Sequence, residues 1–501
     1  MNEQNPAQAQ NHSLSFTKLT AMIIGSTIGG GIFTTAGDMA ASGAHTGSVL
    51  IGWAICGIGM FCLMMCFFGL NRVRPDLTNG IYSYAKEGFG EFVGFNSAWG
   101  YWVSALLCNV SYTTLLFGAI GHFFPIFGDG NNLLSIVCAS VIIWLLNALI
   151  LRGVQEAAAL NVITTIAKLI PILLFVIAVI FFGAFRPAVF MENFWGADTP
   201  GAPDISTQIK ATTSATVWSF IGVEGAVVLS ARAKHSADVG KASLTGFLDI
   251  FAIYVLVAIL SMGVLPTEEL ASLKSPQMAG ILQAVIGPWG AAIVNIGVIL
   301  SLAGALLGWT AADCPYSAAR QGVFLKAFAR ANPNGSPSFA LYLTNGLVQL
   351  FLIVIFFSAS TYQVFYTFST TMIMIPYFLS ALYYLKVTLR GEGFPRGAKS
   401  PAPGSDSDAN IAARGGSLAT ARFFAIIGTA YGIWMLYSSG LELTFIACIL
   451  YAPGILVYAL GKKERGRPVF ERPYEMVLAI ALAVLALIAI FMIATGRIRP
   501  F

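Results

Sequence analysis

Two apolar segments of this sequence are interrupted by glycine where a continuous helix would otherwise be expected. They are Gly25-Ser-Thr-Ile-Gly-Gly-Gly-Ile-Phe33 and Trp218-Ser-Phe-Ile-Gly-Val-Glu-Gly225. Inside a lipid bilayer, a backbone that leaves the helix has N–H and C=O groups without water, which is costly unless the break lines a polar cavity. Breaks at corresponding places in two halves of a membrane protein therefore predict a binding site for a small polar molecule.

The ends of the interrupted helices offer groups for both charges of a zwitterion. A half-helix that begins near Gly30 and Gly31 presents N–H groups and a positive dipole end, which suit a carboxylate. Carbonyl ends suit an ammonium, and they lie near Thr27, Ile28, Phe220 and Ile221. An amino acid fits both ends. The alternative is that these glycines only permit close packing of helices.

Two charged residues fall near the middle of predicted membrane spans. Glu224 follows the second break, and a carboxylate at that depth costs at least about 2.5 kcal/mol. It is a candidate proton carrier, gate contact or partner for a basic substrate, against the alternative of a protonated packing residue. Lys168 either extends its ammonium to the membrane surface or braces its span against the first one, in place of a bound sodium ion.

A few aromatic and amide residues are placed to contact a ligand. Trp218 lies one turn outside the second break, and Asn109 and Tyr112 share one face of a span near its middle. A buried Asn bonds either a neighbouring helix or a ligand. Rings such as these attract a guanidinium or ammonium by about 2 kcal/mol when desolvated. The depth of Trp309 does not by itself place it in the site.

Composition identifies the chain as a polytopic membrane protein. It is 57% hydrophobic and 10% charged, with a mean hydropathy of +0.76, which excludes a water-soluble globule. A span needs roughly 20 apolar residues, and about thirteen such stretches occur. We predict them at 18–42, 47–70, 92–120, 132–151, 157–185, 211–233, 242–265, 290–313, 338–357, 361–386, 421–439, 443–461 and 475–495.

The distribution of Lys and Arg predicts the orientation. If residues 1–17 form a cytoplasmic tail, the inside loops hold most of the basic residues, as the positive-inside rule requires. The net charge of +5 then reflects the basic residues of the inside loops, and nucleic-acid binding is not expected. The N-terminal segment lacks the pattern of a cleaved secretory signal, so we expect a multi-pass protein of the plasma (inner) membrane.

The sequence lacks the patterns of a metal site, a cofactor site or an enzyme. Its seven cysteines lie within predicted spans or at their ends, without metal-ligand spacing, and its four histidines do not cluster with acids. We expect no cofactor and no metal. A channel is a distant alternative, because no selectivity-filter repeat or charged ring is present.

The predicted spans divide into three groups. Spans one to five (18–185) and six to ten (211–386) form a predicted inverted pair, because an odd number of spans reverses the second copy. A Gly, Pro and Ser-rich segment at 389–420 predicts a flexible cytoplasmic linker, and 421–495 adds three spans. The predicted fold class is an all-α polytopic membrane protein.

The chain resembles the amino acid, polyamine and organocation transporter superfamily, and within it the basic amino acid antiporters. Both broken-helix motifs carry the resemblance. Four further segments are similar to the arginine/ornithine antiporters of the arginine deiminase pathway: Pro75-Asp-Leu-Thr-Asn-Gly-Ile-Tyr-Ser-Tyr-Ala85, Gly94-Phe-Asn-Ser-Ala-Trp-Gly-Tyr-Trp102, Leu151-Arg-Gly-Val-Gln-Glu-Ala157 and Asp238-Val-Gly-Lys-Ala242.

The resemblance implies a LeuT-like fold of 5+5 inverted repeats and a set of site residues. Gly30 stands where arginine/agmatine relatives usually carry a hydroxyl, and Ser26 where they carry a larger amide. The implied gating residues are Tyr101, Trp218, Glu224 and Tyr377, with Lys168 in place of sodium. The implied substrate-binding residues are Ser26, Thr27, Ile28, Gly30, Gly31, Asn109, Tyr112, Trp218, Ile221, Gly222, Trp309 and Ser369.

The function that the resemblance implies is secondary active transport of an amino acid by alternating access. We expect an arginine/ornithine exchanger. A proton-coupled permease or exchanger for lysine, histidine or a decarboxylation product stays open as the alternative. The expected partners are the amino acid substrate and membrane lipid, with a homodimer as one candidate assembly.

Overall fold

The architecture comes from a computed structural model of the 501-residue chain. Ser26, the predicted tail at 1–17 and most of the predicted linker lie outside the described residues. At 157–166, 236–240 and 313–314 only the backbone is described. The structure describes residues 20, 24–25, 27–77, 81–153, 157–224, 236–310, 313–320, 322, 324–358, 361–394 and 416–498.

All regular secondary structure in the described part of the chain is helical. Short 3-10 turns occur at Gly31–Phe33, Pro125–Phe127 and Lys326–Ala329. The α-helices are α1 (Thr35–Ala41), α2 (Thr46–Val73), α3 (Ile81–Phe89), α4 (Glu91–Gly121), α5 (Leu133–Leu151), α6 (Ala157–Phe181), α7 (Pro187–Met191), α8 (Ile205–Trp218), α9 (Ser236–Val264), α10 (Thr267–Ser272), α11 (Gln277–Ile286), α12 (Pro288–Thr310), α13 (Asp313–Arg320), α14 (Ser338–Ser358), α15 (Tyr362–Arg390), α16 (Leu418–Ser438), α17 (Gly440–Lys463) and α18 (Pro473–Ala494).

The long helices confirm an all-α multi-pass membrane protein. Within the described ranges, 10 helices are long and apolar enough to cross a membrane. The first and sixth predicted spans are interrupted, since a 3-10 turn precedes α1 and α8 ends at Trp218. The fifth predicted span contains α6. The total of about thirteen spans and the division into repeats at 18–185, 211–386 and 421–495 stay predictions.

Helices α4 and α15 cross at the centre of the molecule and are joined by polar contacts. The Ser104 and Ser369 hydroxyls lie 2.9 Å apart, and Ser111 Oγ donates to the carbonyl of Tyr362 at 2.9 Å. Such bonds between helices satisfy groups that lipid cannot. The two helices thus form a fixed frame, and both carry residues of the candidate site.

The three C-terminal helices pack on this frame. Helix α16 lies against α2, where Gly428 approaches Cys66. Helix α17 contacts the start of α4 through Lys462, which is buried and donates to the carboxylates of Glu91 and Glu471, the latter at 2.9 Å. The appended helices therefore hold the start of α4, which carries Glu91, in place.

The contact between α2 and α16 gives a test of the packing. A Cβ atom added at Gly59 would overlap the buried ring of Tyr431. We expect Gly59→Ala to destabilise the protein by about 1–3 kcal/mol through overpacking. The measurement is the midpoint of thermal unfolding in detergent.

Gly346→Ala is the matched control. Gly346 also lies within a long helix, α14, but a Cβ atom there meets no other atom within 4 Å. Because alanine favours a helix over glycine by about 1 kcal/mol, this control should keep or raise the midpoint. Equal effects of the two substitutions would contradict the packing of α16 on α2.

Candidate functional site

The first break lies between Ile28 and helix α1. The amide of Ile28 donates to the carbonyl of Ile24 at 3.0 Å, and the next loop bond runs from Phe33 N to Gly30 O at 3.1 Å. Between them the backbone passes through Gly29 and Gly30 outside any helix. The break therefore places two sets of helix-end groups side by side in the interior.

Lys168 on α6 is held at this break. Its side chain is 5% exposed, and Nζ donates to the carbonyl of Ile28 at 2.6 Å and to the carbonyl of Gly25. A buried ammonium requires such partners, because an isolated charge in an apolar interior is very costly. The ammonium thus links α6 to the first break. It also occupies the Ile28 carbonyl that the sequence suggested for a substrate ammonium.

The second break begins where α8 ends at Trp218. Single turns continue the chain, with Ile221 N to Trp218 O at 3.3 Å and Val223 N to Phe220 O at 3.1 Å. Gly222 has φ of 102°, a conformation that residues with a Cβ rarely adopt. Glycine is therefore required at this position, and the turn it allows places Glu224 beneath the break.

Glu224 closes one side of the site. Its side chain is 6% exposed. Oε1 accepts from Tyr101 Oη at 2.9 Å, and Oε2 accepts from Tyr377 Oη and from the amide of Gly222 at 3.2 Å. The donors come from α4, α15 and the second break itself. Three elements that could separate are thus joined through one carboxylate.

Trp218 closes the opposite side. Its ring stacks on Tyr366 at 4.4 Å between centroids and 10° between planes, and the ring of Tyr112 lies 6.0 Å away. A Cβ atom at Gly30 or Gly31 would lie 3.6 or 3.4 Å from the Trp218 ring. These are ordinary van der Waals distances, so the indole packs against the first break.

Behind this stack lies a buried carboxylate that the sequence interpretation did not single out. Asp38 on α1 is buried, and its Oδ1 accepts from Tyr362 Oη at 2.6 Å, Gln363 Nε2 at 2.6 Å and Gln277 Nε2 at 3.1 Å. These bonds join α1 to α15 and α11. An acid within an apolar predicted span was the available signal, as it was for Glu224.

Between the two closures lie polar atoms without partners. Asn109 Oδ1 and Nδ2 and Thr27 Oγ1 are buried and have no hydrogen bond within the described residues. Asn109 lies one turn from Tyr112 on α4, and Tyr112 Oη lies 3.1 Å from the Cβ position of Gly29. Buried polar groups are nearly always paired, so orphans beside two broken helices indicate a place for a polar ligand.

Trp309 and Ser369 lie at the edges of this arrangement. The Trp309 ring lies 6.4 Å from that of Tyr101, on the side of Glu224. Ser369 is buried, and its hydroxyl donates to the carbonyl of Ser104 at 2.8 Å and lies 3.0 Å from Cys108 Sγ. Ser369 therefore serves the contact between α4 and α15 here. Contact of either residue with a substrate stays a prediction.

Comparison with known proteins agrees with this architecture. Residues 14–444 match the profile of the family described as amino acid permease. The chain belongs to this family. The amino acid permease family comprises transporters, which excludes the enzyme alternative and accounts for helices broken around a polar site.

Individual members of the permease family match over nearly the full length. An arginine/ornithine antiporter of Pseudomonas aeruginosa is 42% identical over 98% of this chain and 99% of its own length. A putative arginine/ornithine antiporter of Escherichia coli is 39% identical over 96% of this chain and 99% of its own length. An arginine/agmatine antiporter of Chlamydia pneumoniae is 37% identical over 97% of this chain and 98% of its own length.

The stacking of Trp218 gives a test of the site geometry. Its side chain is 4% exposed, so Trp218→Ala leaves a cavity between Tyr366 and the first break. We expect a loss of about 3–5 kcal/mol of stability. Trp289→Ala is the control, because the Trp289 side chain is 79% exposed. Thermal unfolding in detergent measures both, and equal midpoints would contradict the stacked arrangement.

Proposed function

We propose that this permease exchanges external arginine for internal ornithine across the inner membrane by alternating access. The observation that carries the proposal is the group of unpartnered polar atoms on Asn109 and Thr27, enclosed between the Trp218 and Glu224 closures. The names of the relatives, which are arginine/ornithine and arginine/agmatine antiporters, support the choice of substrates.

In the proposed complex, the broken helices hold the backbone groups of the amino acid. The N–H groups at Gly30 and Gly31 bind the carboxylate, where the α1 side of the break contributes its positive end. The carbonyl at Ile221, with the turn at Gly222, binds the ammonium. Ser26 belongs to the same proposed cradle but lies outside the described residues.

The side chain of the substrate extends toward the aromatic residues. A guanidinium or ammonium over Trp218 or Tyr112 gains about 2 kcal/mol when water is excluded. Asn109 supplies both a donor and an acceptor next to these rings. Trp309 and Ser369 complete the proposed pocket after the helices rearrange, since their present contacts lie at its edge.

Two closures account for alternating access. Glu224 with Tyr101 and Tyr377 forms the proposed inner gate, and Trp218 with Tyr366 forms the outer one. In the proposed cycle, the state in which both sets of contacts are formed is the occluded one. Transport requires that one closure opens while the other holds the broken helices together.

Lys168 supplies the fixed positive charge of the mechanism. Its ammonium bonds the carbonyls of Gly25 and Ile28, where a sodium ion would otherwise bridge the break to a neighbouring span. A covalently attached cation is present in every state of the cycle. The exchanger therefore needs no ion gradient to assemble its substrate site.

Orientation and assembly belong to the same proposal. Arg74 at the end of α2 bonds Tyr383 near the end of α15 at 2.6 Å, and α17 also ends in basic residues. Basic residues thus gather at one end of the bundle, which supports a cytoplasmic N-terminus under the positive-inside rule. We place the protein in the inner membrane, with a homodimer as the candidate assembly.

A proton-coupled permease for basic amino acids is the second candidate. The buried carboxylates of Glu224 and Asp38 favour it, because acids inside a membrane protein are frequent proton carriers. Such a permease would accumulate lysine, arginine or histidine under an imposed pH gradient without internal substrate. The exchanger would not accumulate them without internal substrate.

Vesicles distinguish the two candidates. Purified protein is reconstituted into proteoliposomes that are either empty or loaded with ornithine, and uptake of labelled arginine is followed without a pH gradient. We expect uptake only into loaded vesicles, because an obligate exchanger returns only when occupied. Arginine uptake that is no faster into loaded than into empty vesicles would contradict obligate exchange.

Lys168→Ala tests the proposed fixed cation. The substitution removes the only ammonium that the structure places on the Gly25 and Ile28 carbonyls within the described residues. We expect transport to fall to near the background of protein-free vesicles. Lys210→Ala is the control, since Lys210 lies over the Tyr437 ring at 5.3 Å, away from both breaks. Wild-type rates for Lys168→Ala would contradict the assigned role.

A further inference from the structure

A groove separates the appended helices from the central frame. It lies between the start of α4, the middle of α15 and the facing sides of α17 and α18, and its volume is about 610 Å³. Apolar side chains such as Ile375, Leu379 and Leu482 form most of its wall. None of the residues that line this groove belongs to the candidate substrate site.

One end of the groove is basic. Lys386 donates to the carbonyl of Gly88 at 2.6 Å and lies 5.5 Å from the centroid of the Phe89 ring. Arg472, at the start of α18, contacts Tyr474 through a 3.3 Å bond. Within the described residues, neither cation has a carboxylate oxygen within 4 Å, and no acidic residue lines the groove.

One acid near this end, Glu475, is occupied by backbone amides. Glu475 is buried, and its oxygens accept from the amides of Phe92 at 3.3 Å, Glu471 at 3.0 Å and Arg472 at 3.4 Å. Its carboxylate therefore caps the backbone at the start of α18. Among the described residues, neither Lys386 nor Arg472 forms a salt bridge, and Glu471 and Glu475 act on Arg472 only through longer-range attraction.

The groove is long enough to hold an acyl chain of one leaflet of a bilayer. The α15 residues that line it run from Lys386 back to Thr371, which spans about 22 Å along the helix. The hydrocarbon core of a bilayer is about 30 Å thick, so half of it is shorter than the groove. An acyl chain of one leaflet fits along the wall when its headgroup lies at the basic end.

We propose that this groove binds an anionic phospholipid, with its phosphate between Lys386 and Arg472 and one acyl chain along α15. A zwitterionic lipid offers the same chain, but its own cation would lie next to two cations that form no salt bridge within the described residues. Basic pockets between membrane helices recognise anionic headgroups in this way. The chemistry of the lining thus selects the charge of the lipid as well as its apolar tail.

The lipid would lie behind the proposed inner gate. Ile375 and Leu379 flank Tyr377 on α15, and Asn96 in the groove precedes Tyr101 on α4 by less than two turns. We therefore expect occupancy of the groove to favour the closed gate and to change the rate of exchange. This coupling rests on the proposed function, whereas lipid binding itself does not.

Native mass spectrometry of the delipidated full chain tests the binding. The probes are phosphatidylglycerol and phosphatidylcholine with identical acyl chains, and glycerol phosphate serves as a soluble competitor without chains. We expect phosphatidylglycerol to be retained about thirtyfold more strongly than phosphatidylcholine, since two basic residues at about 1 kcal/mol each add about 2 kcal/mol. Glycerol phosphate should not displace it.

Substitutions locate the bound lipid. Lys386→Gln with Arg472→Gln should abolish the preference for phosphatidylglycerol. The matched control, Arg390→Gln with Lys463→Gln, removes the same charge from exposed positions at the same end and should keep the preference. Cys448→Trp fills the groove without changing charge and should reduce retention of both lipids. Thermal midpoints confirm folding, and the paired Gln variants decide the result if Cys448→Trp is unfolded.

Three outcomes would overturn the proposal. They are equal retention of the two lipids by the wild-type chain, equal behaviour of the two double variants, and displacement of phosphatidylglycerol by glycerol phosphate. Exchange is measured separately in vesicles with and without phosphatidylglycerol. A lipid preference with no exchange in any vesicle would leave the lipid site standing and contradict the proposed function instead.

Discussion

The constraint on which this structure depends is that a backbone inside a membrane must find partners for every N–H and C=O group. Two helices break at glycine, and each break is stabilised by a charged side chain. Lys168 donates to the carbonyls of Gly25 and Ile28, and Glu224 accepts from the amide of Gly222. A cation thus satisfies carbonyls at the first break, and a carboxylate satisfies an amide at the second.

The same charged groups connect the breaks to the helices around them. Glu224 reaches α4 and α15 through two tyrosines, and Lys168 reaches the first break from α6. The polar atoms of Asn109 and Thr27 stay unpaired between these linked elements. Rigid groups therefore surround a small space whose polar atoms lack partners. An amino acid could satisfy these atoms on binding and be released when one closure opens.

The sequence predicted the parts of this site that are unusual for a membrane span. Both glycine breaks, Glu224 and Lys168 stand out in apolar surroundings, and the all-helical class follows from composition. The partners of Trp218 and the role of Asp38 could not be predicted, because Tyr366 and Tyr362 become neighbours only through tertiary packing. For Ser369, the depth in the membrane was predictable but the direction of the side chain was not. Its hydroxyl bonds the adjacent helix α4, and the rotation of a helix about its axis cannot be deduced from depth alone.

Equilibrium binding to the purified protein tests most directly whether the broken helices form an amino acid cradle. Labelled arginine is competed with ornithine, which keeps both backbone charges, and with arginine methyl ester, which lacks the carboxylate. Full displacement by ornithine is the expected result, together with competition by the ester at least about tenfold weaker, because one charge-assisted pairing is worth about 1.5–3 kcal/mol. Equal competition by the ester and by arginine itself would contradict a carboxylate site at Gly30 and Gly31.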